Sequence, residues 1–112
     1  MAKSNEPDVI RVYKREFAAA HIIAGHPKCG RQHGHNYMLL TRVYGNSAEW
    51  LDFEEIKQKV DGLIDERYDH RDIGNMTCER LARHIQEQLS NLFHAKVKIE
   101  LWETGKFGVE TL

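Results

Sequence analysis

The stretch HGHNYMLLTRVY, His33 to Tyr44, sets His33, His35, Tyr37, Leu39, Thr41 and Val43 on alternate positions. That is the period of a β-strand, whose successive side chains leave opposite faces. One face is therefore mostly apolar and ends in two imidazoles. The preceding VIRVYKREFAAAHII, Val9 to Ile23, is rich in β-branched and aromatic residues with partial alternation. It reads as a first strand, with a bulge. Between the two, AGHPKCGRQ carries Gly25, Pro27 and Gly30 and reads as a loop.

Beyond the break at Gly45-Asn46-Ser47 the period changes. Asp52 followed by Glu55 predicts a capping-box variant. Phe53, Ile56, Val60, Leu63 and Ile64 then form the apolar stripe of a helix from Phe53 to Glu66. Thr77 is the expected N-cap of a second helix, with Glu79 in its first turn and Leu81, Ile85, Leu89 and Leu92 on one face. KVKIELWE, Lys96 to Glu103, alternates as a third strand, and Phe107 to Thr111 follows the turn at Gly105 as a fourth. The predicted order is ββααββ: an α+β domain with an antiparallel sheet and two helices on one side. The 112 residues suit one domain, 1–112, with residues 1–8 as a flexible lead-in.

Composition narrows the class of function. A formal net charge of −1 with interspersed signs leaves no basic face, which argues against nucleic acid or an anionic membrane as partner. The opening MAKSNEPD lacks the apolar core of a signal peptide, and no apolar run approaches the roughly 20 residues of a membrane span. Cys29 and Cys78 are read as reduced thiols of a cytoplasmic protein rather than a disulfide.

Chemistry concentrates near the first loop. His33 and His35 leave one strand face, and His21 lies near the end of the strand that can pair alongside. Three neutral imidazoles with a fourth position open are the ligand set of a catalytic zinc site, although imidazoles also suit iron and nickel. His-x-His on a strand, taken alone, more often makes hydrogen bonds at a strand end than binds metal. A thiol at Cys29, close to a metal and an imidazole, is deprotonated more easily and could act as base or nucleophile. Asp69-His70, placed in the turn between the helices, is either a carboxylate orienting a proton-transfer imidazole or a turn residue beside it. Glu103 continues the buried parity of Val97, Ile99 and Leu101. Unless the strand end frays into solvent, this half-buried carboxylate needs a partner, and paired N–H donors on a ligand would serve.

Together these pieces resemble one family. They are Phe17-Ala18-Ala19-Ala20-His21, Cys29-x-x-x-His33-Gly34-His35-Asn36-Tyr37, Asp52-Phe53-x-x-Ile56-Lys57, Asp69-His70, Thr77-x-Glu79-x-Leu81-Ala82 and Glu103-Thr104. In this order they resemble the 6-pyruvoyltetrahydropterin synthase and 6-carboxytetrahydropterin synthase family, from Phe17 to Thr104. The resemblance implies the tunnelling fold, with subunits joined as trimers stacked into a hexamer and active sites at the subunit interfaces.

By position the resemblance implies His21, His33 and His35 as ligands of Zn2+, Cys29 as general base or proton shuttle, Asp69 and His70 as the second catalytic pair, and Glu103 as anchor of a pterin ring. The implied substrate is 7,8-dihydroneopterin triphosphate. The compact Cys29-to-His33 spacing resembles the carboxy-forming branch, whose product, 6-carboxy-5,6,7,8-tetrahydropterin, leads toward queuosine. The pyruvoyl-forming synthase, a tunnelling-fold relative that cleaves dihydroneopterin by an aldol reaction, and a non-catalytic metal-binding assembly protein are the alternatives. Departures from the family pattern are Met76 where many members have Pro, a short loop before Thr77, and few residues after Glu103.

Overall fold

The computed structural model describes residues 6–28 and 30–112. The elements are β1 (Val9–Ile22), β2 (His33–Gly45), α1 (Phe53–Arg67), β3 (Arg71–Asn75), α2 (Cys78–Phe93), β4 (Val97–Trp102) and β5 (Gly108–Glu110). They form one sheet of order β3-β1-β2-β4-β5, antiparallel except where β3 runs parallel to β1. The α+β class and the two helices agree with the sequence.

β3 is the element the sequence did not give. Its residues, Arg-Asp-Ile-Gly-Asn, hold one β-branched side chain and a glycine, so no alternation announces it. It pairs with only the end of β1, from Ala19 to Ile22. The predicted bulge lies on this side, as a register shift between Ala20 and Ile22, while β1 meets β2 without interruption from Val9↔Gly45 to His21↔His33.

The alternation of β2 decides the layers. Tyr37, Leu39 and Thr41 are fully buried and Val43 nearly so, together with Phe17, Ala19, Val97, Ile99 and Leu101 from the neighbouring strands. Against this face lie Ile56, Val60, Leu63 and Ile64 of α1 and Leu81, Ala82, Ile85 and Leu89 of α2, in a single core. Each buried aliphatic contributes roughly 1.5–3 kcal/mol by leaving water.

Two predicted core positions are exposed. Phe53 opens α1 and stands 75% exposed, before the stripe has turned toward the sheet. Leu92 is 43% exposed, because the inward stripe of α2 passes from Leu89 to Phe93, which packs against the core. The caps also divide. Thr77 accepts from Arg80 N as expected, whereas Asp52 accepts from Glu54 N and Glu55 pairs with Lys59 instead of closing a box. Among the described residues no helix is long and apolar enough to cross a membrane.

Candidate metal centre

Three imidazoles meet at one end of the β1–β2 pair. The register sets His21 opposite His33, and His35 follows one strand repeat later, so all three point to the core face. Ring centroids lie 4.4 Å apart for His21 and His33, 5.0 Å for His21 and His35, and 4.9 Å for His33 and His35. One nitrogen from each ring lies within 4.8 Å of the other two. His21 is fully buried and the other two are half-buried.

Backbone carbonyls set the orientation of two rings. His21 Nδ1 lies 2.6 Å from the Met76 oxygen and His33 Nδ1 lies 2.8 Å from the Arg31 oxygen. A carbonyl only accepts, so Nδ1 donates in each ring, and the neutral tautomer leaves a lone pair on Nε2. Metal-binding histidines are commonly held this way. Sequence patterns could not supply these partners, since they belong to the backbone and Met76 is far along the chain.

His21 Nε2 is buried and makes no hydrogen bond. Leaving such an atom unsatisfied costs roughly 1–3 kcal/mol, a cost that a bound cation removes. Burial holds the His35 imidazole below its ordinary pKa, with Glu103 opposing and His21 and His33 adding to the shift. His35 is therefore uncharged at neutral pH, the form that can donate its lone pair to a metal. Three such nitrogens on a rigid strand pair fit zinc or a similar divalent ion.

Glu103 reaches the same place, half-buried as its parity predicted. Its Oε1 is 3.5 Å from His21 Nε2 and 3.7 Å from His35 Nε2, with the side chain 24% exposed. Tyr37 completes the wall. Its ring stands edge-on to His21 and His35, and its buried hydroxyl has no hydrogen-bond partner. Burial, with Glu103 and Cys78 adding, pushes the phenol far above its usual range. The stripe of alternate residues marked Tyr37 as core, with no sign that its hydroxyl would be stranded beside a carboxylate.

Asp69 and His70 are paired, with His70 Nδ1 3.1 Å from Asp69 Oδ1. The carboxylate also accepts from Ala18 N at 2.9 Å and lies 3.5 Å from Arg15. Burial works against ionisation, but the Ala18 N–H, His70 and Arg15 outweigh it and hold the carboxyl below its ordinary pKa. His70 adopts φ 59°, and its N–H donates to Ala18 O at 2.6 Å. A left-handed histidine costs roughly 1–2 kcal/mol, which the surrounding bonds sustain.

His70 borders a shallow groove of about 440 Å³ with Ala18, Ala20, Gly34, His35, Asn36 and Asp72. The even-numbered strand residues belong to the sheet face opposite the three histidines. No hydrogen bond or ion pair joins Asp69 or His70 to that cluster among the described residues, although His35 lines the same groove as His70. A Cβ on Gly34 would meet Ala19 O at an ordinary 3.7 Å, so no crowding within the chain demands the glycine. Cys29 lies outside the described residues. Cys78 is a free, buried thiol pushed up to about 12 by burial, with Glu103 and Glu79 adding, which suits it poorly as a nucleophile.

Comparison with known proteins agrees with the fold. The family model described as 6-pyruvoyl tetrahydropterin synthase matches residues 11–111. A Rickettsia bellii protein named 6-carboxy-5,6,7,8-tetrahydropterin synthase is 30% identical over 129 aligned residues, covering 85% of this chain and 94% of its own. An Archaeoglobus fulgidus protein, provisionally given the same name, is 35% identical over 68 residues, and the match spans 58% of each chain. The structure of Caenorhabditis elegans 6-pyruvoyl tetrahydropterin synthase superposes with a TM-score of 0.78 at 22% identity, covering 96% of this chain and 99% of that one. The order of elements, the sheet and the matched residues agree: the chain belongs to the 6-pyruvoyl tetrahydropterin synthase family.

Proposed function

We propose that the protein is a zinc-dependent lyase that converts 7,8-dihydroneopterin triphosphate and water to 6-carboxy-5,6,7,8-tetrahydropterin, acetaldehyde and triphosphate. The observation that carries this reading is the convergence of His21, His33 and His35, with the buried Nε2 of His21 lacking a partner. In it, His21, His33 and His35 hold Zn2+ and Glu103 anchors the pterin ring through its N–H edge. Bound zinc would supply Lewis-acid polarisation of the substrate's side-chain hydroxyls, making the adjoining C–H groups more acidic. Cys29 takes a proton from the side chain. His70, oriented by Asp69, gives or takes the second proton as triphosphate leaves.

Two features favour the carboxy product: the names of the Rickettsia and Archaeoglobus relatives, and the short Cys29-to-His33 spacing. The product would then feed a 7-deazaguanine pathway such as that to queuosine, in the cytoplasm. The pyruvoyl product is the second reading, favoured by the name of the matching family and of the Caenorhabditis elegans structure. Among the described residues no hydrogen bond or ion pair links Asp69 or His70 to the three histidines of their own chain, and the His70 side chain stands 82% exposed, which supports a site shared between subunits in a trimer-based hexamer.

Incubating zinc-loaded protein with dihydroneopterin triphosphate and identifying products by mass spectrometry tests the reading. Carboxytetrahydropterin with acetaldehyde is expected. A pyruvoyl product would transfer the assignment to the second reading, and unchanged substrate would leave a metal-binding protein without this activity.

A further inference from the structure

Glu103 sits closer to the imidazoles than a substrate anchor alone requires. Its Oε1 lies 3.5 Å from His21 Nε2 and 3.7 Å from His35 Nε2. The His21 proton is engaged through Nδ1 with Met76 O, so Nε2 presents a lone pair. A carboxylate oxygen presents lone pairs as well. Two acceptors repel unless a cation lies between them, and a proton there would draw them into a hydrogen bond that His21 Nε2 does not make. Donor atoms on a tetrahedral ion, each about 2.0–2.2 Å from it, stand about 3.4 Å from one another. The two measured separations have that size.

On the reading that the three histidines hold the ion, we propose that Glu103 is an exchangeable fourth ligand. Its carboxylate closes the coordination shell before substrate arrives, then leaves to accept the paired N–H donors of the substrate ring. The main chain at this point is pinned. Glu103 N and Thr104 N donate to Phe107 O at 2.9 and 3.3 Å, and Thr104 Oγ1 accepts from Lys106 N and Phe107 N at 3.1 Å. The exchange therefore needs only side-chain torsions, which move between staggered wells. The open position of the metal would appear when the substrate ring docks, and stray ligands would be kept off before that.

Cobalt(II) serves as the probe, because its visible absorption reports the number and kind of ligands. Wild-type protein, Glu103→Gln and His33→Ala are titrated with cobalt(II), with circular dichroism verifying the fold of each. The wild type is expected to bind one ion per chain and His33→Ala to lose it. Glu103→Gln should bind at least roughly tenfold more weakly, with an altered visible spectrum. Adding 2-amino-4-oxopteridine to the cobalt-loaded wild type should move its spectrum toward that of Glu103→Gln. Equal affinity and spectrum in wild type and Glu103→Gln would overturn the exchange and leave the histidine site standing. A wild type that takes up no cobalt would remove both. If Glu103→Gln does not fold, the pteridine titration decides, and an unmoved spectrum counts against the exchange.

Discussion

Met76 marks what a single residue can do here through its backbone alone. Its carbonyl orients His21 at 2.6 Å, and its N–H donates to Ile22 O at 3.2 Å. Met76→Pro keeps the first contact and deletes the second. It should lower stability by roughly 1 kcal/mol in urea unfolding while zinc affinity, followed by competition with a chelating dye, stays within about twofold. Parity made His33, His35 and Glu103 legible in the sequence, because strands fix which side chains share a face. The left-handed backbone of His70 and the carbonyls behind His21 and His33 were not legible, since they depend on where distant segments pass.

Between elements, Asp61 ties α1 to β1. It accepts from Tyr13 at 2.8 Å and Arg15 at 3.0 Å across the layer, and from Lys57 at 3.0 Å along its own helix. Burial pushes its carboxyl up, but the bonds from Lys57, Tyr13 and Arg15 outweigh this and hold the pKa below the ordinary value. A depressed carboxyl contributes stability that is present above its unfolded pKa, near 3.9, and is lost as pH falls through the lower folded value. Asp61→Asn should therefore cost roughly 1–3 kcal/mol at neutral pH, and the difference from wild type should shrink below about pH 4 in urea midpoints measured against pH. The helices were predictable from their stripes, because burial of Ile56, Val60, Leu81 and Ile85 enforces the period. β3 was not, since an edge strand held by backbone pairing to β1 needs no apolar pattern of its own.

At the scale of the molecule, the chain is longer than its length demands. Its principal extents are 56 × 24 × 23 Å and its radius of gyration is 15.5 Å, against about 13 Å for a compact domain of this size. The excess belongs to the β1–β2 pair. β3 covers β1 only from Ala19 onward, so the edge of β1 from Val9 to Ala18 pairs with no strand among the described residues, and Ile10 and Val12 stand 44% and 53% exposed. An edge of this kind is a template for pairing with another chain. Light scattering on the eluting protein should give a mass several-fold that of one chain, and Val12→Lys should shift the population toward smaller species. The proposed chemistry depends most directly on the ion shared by His21, His33 and His35, and metal analysis of purified wild type and His33→Ala tests it. One zinc per chain in the wild type, and loss of most of it in a folded His33→Ala, is the expected result. Full zinc occupancy in His33→Ala, or none in a zinc-supplied wild type, would contradict it.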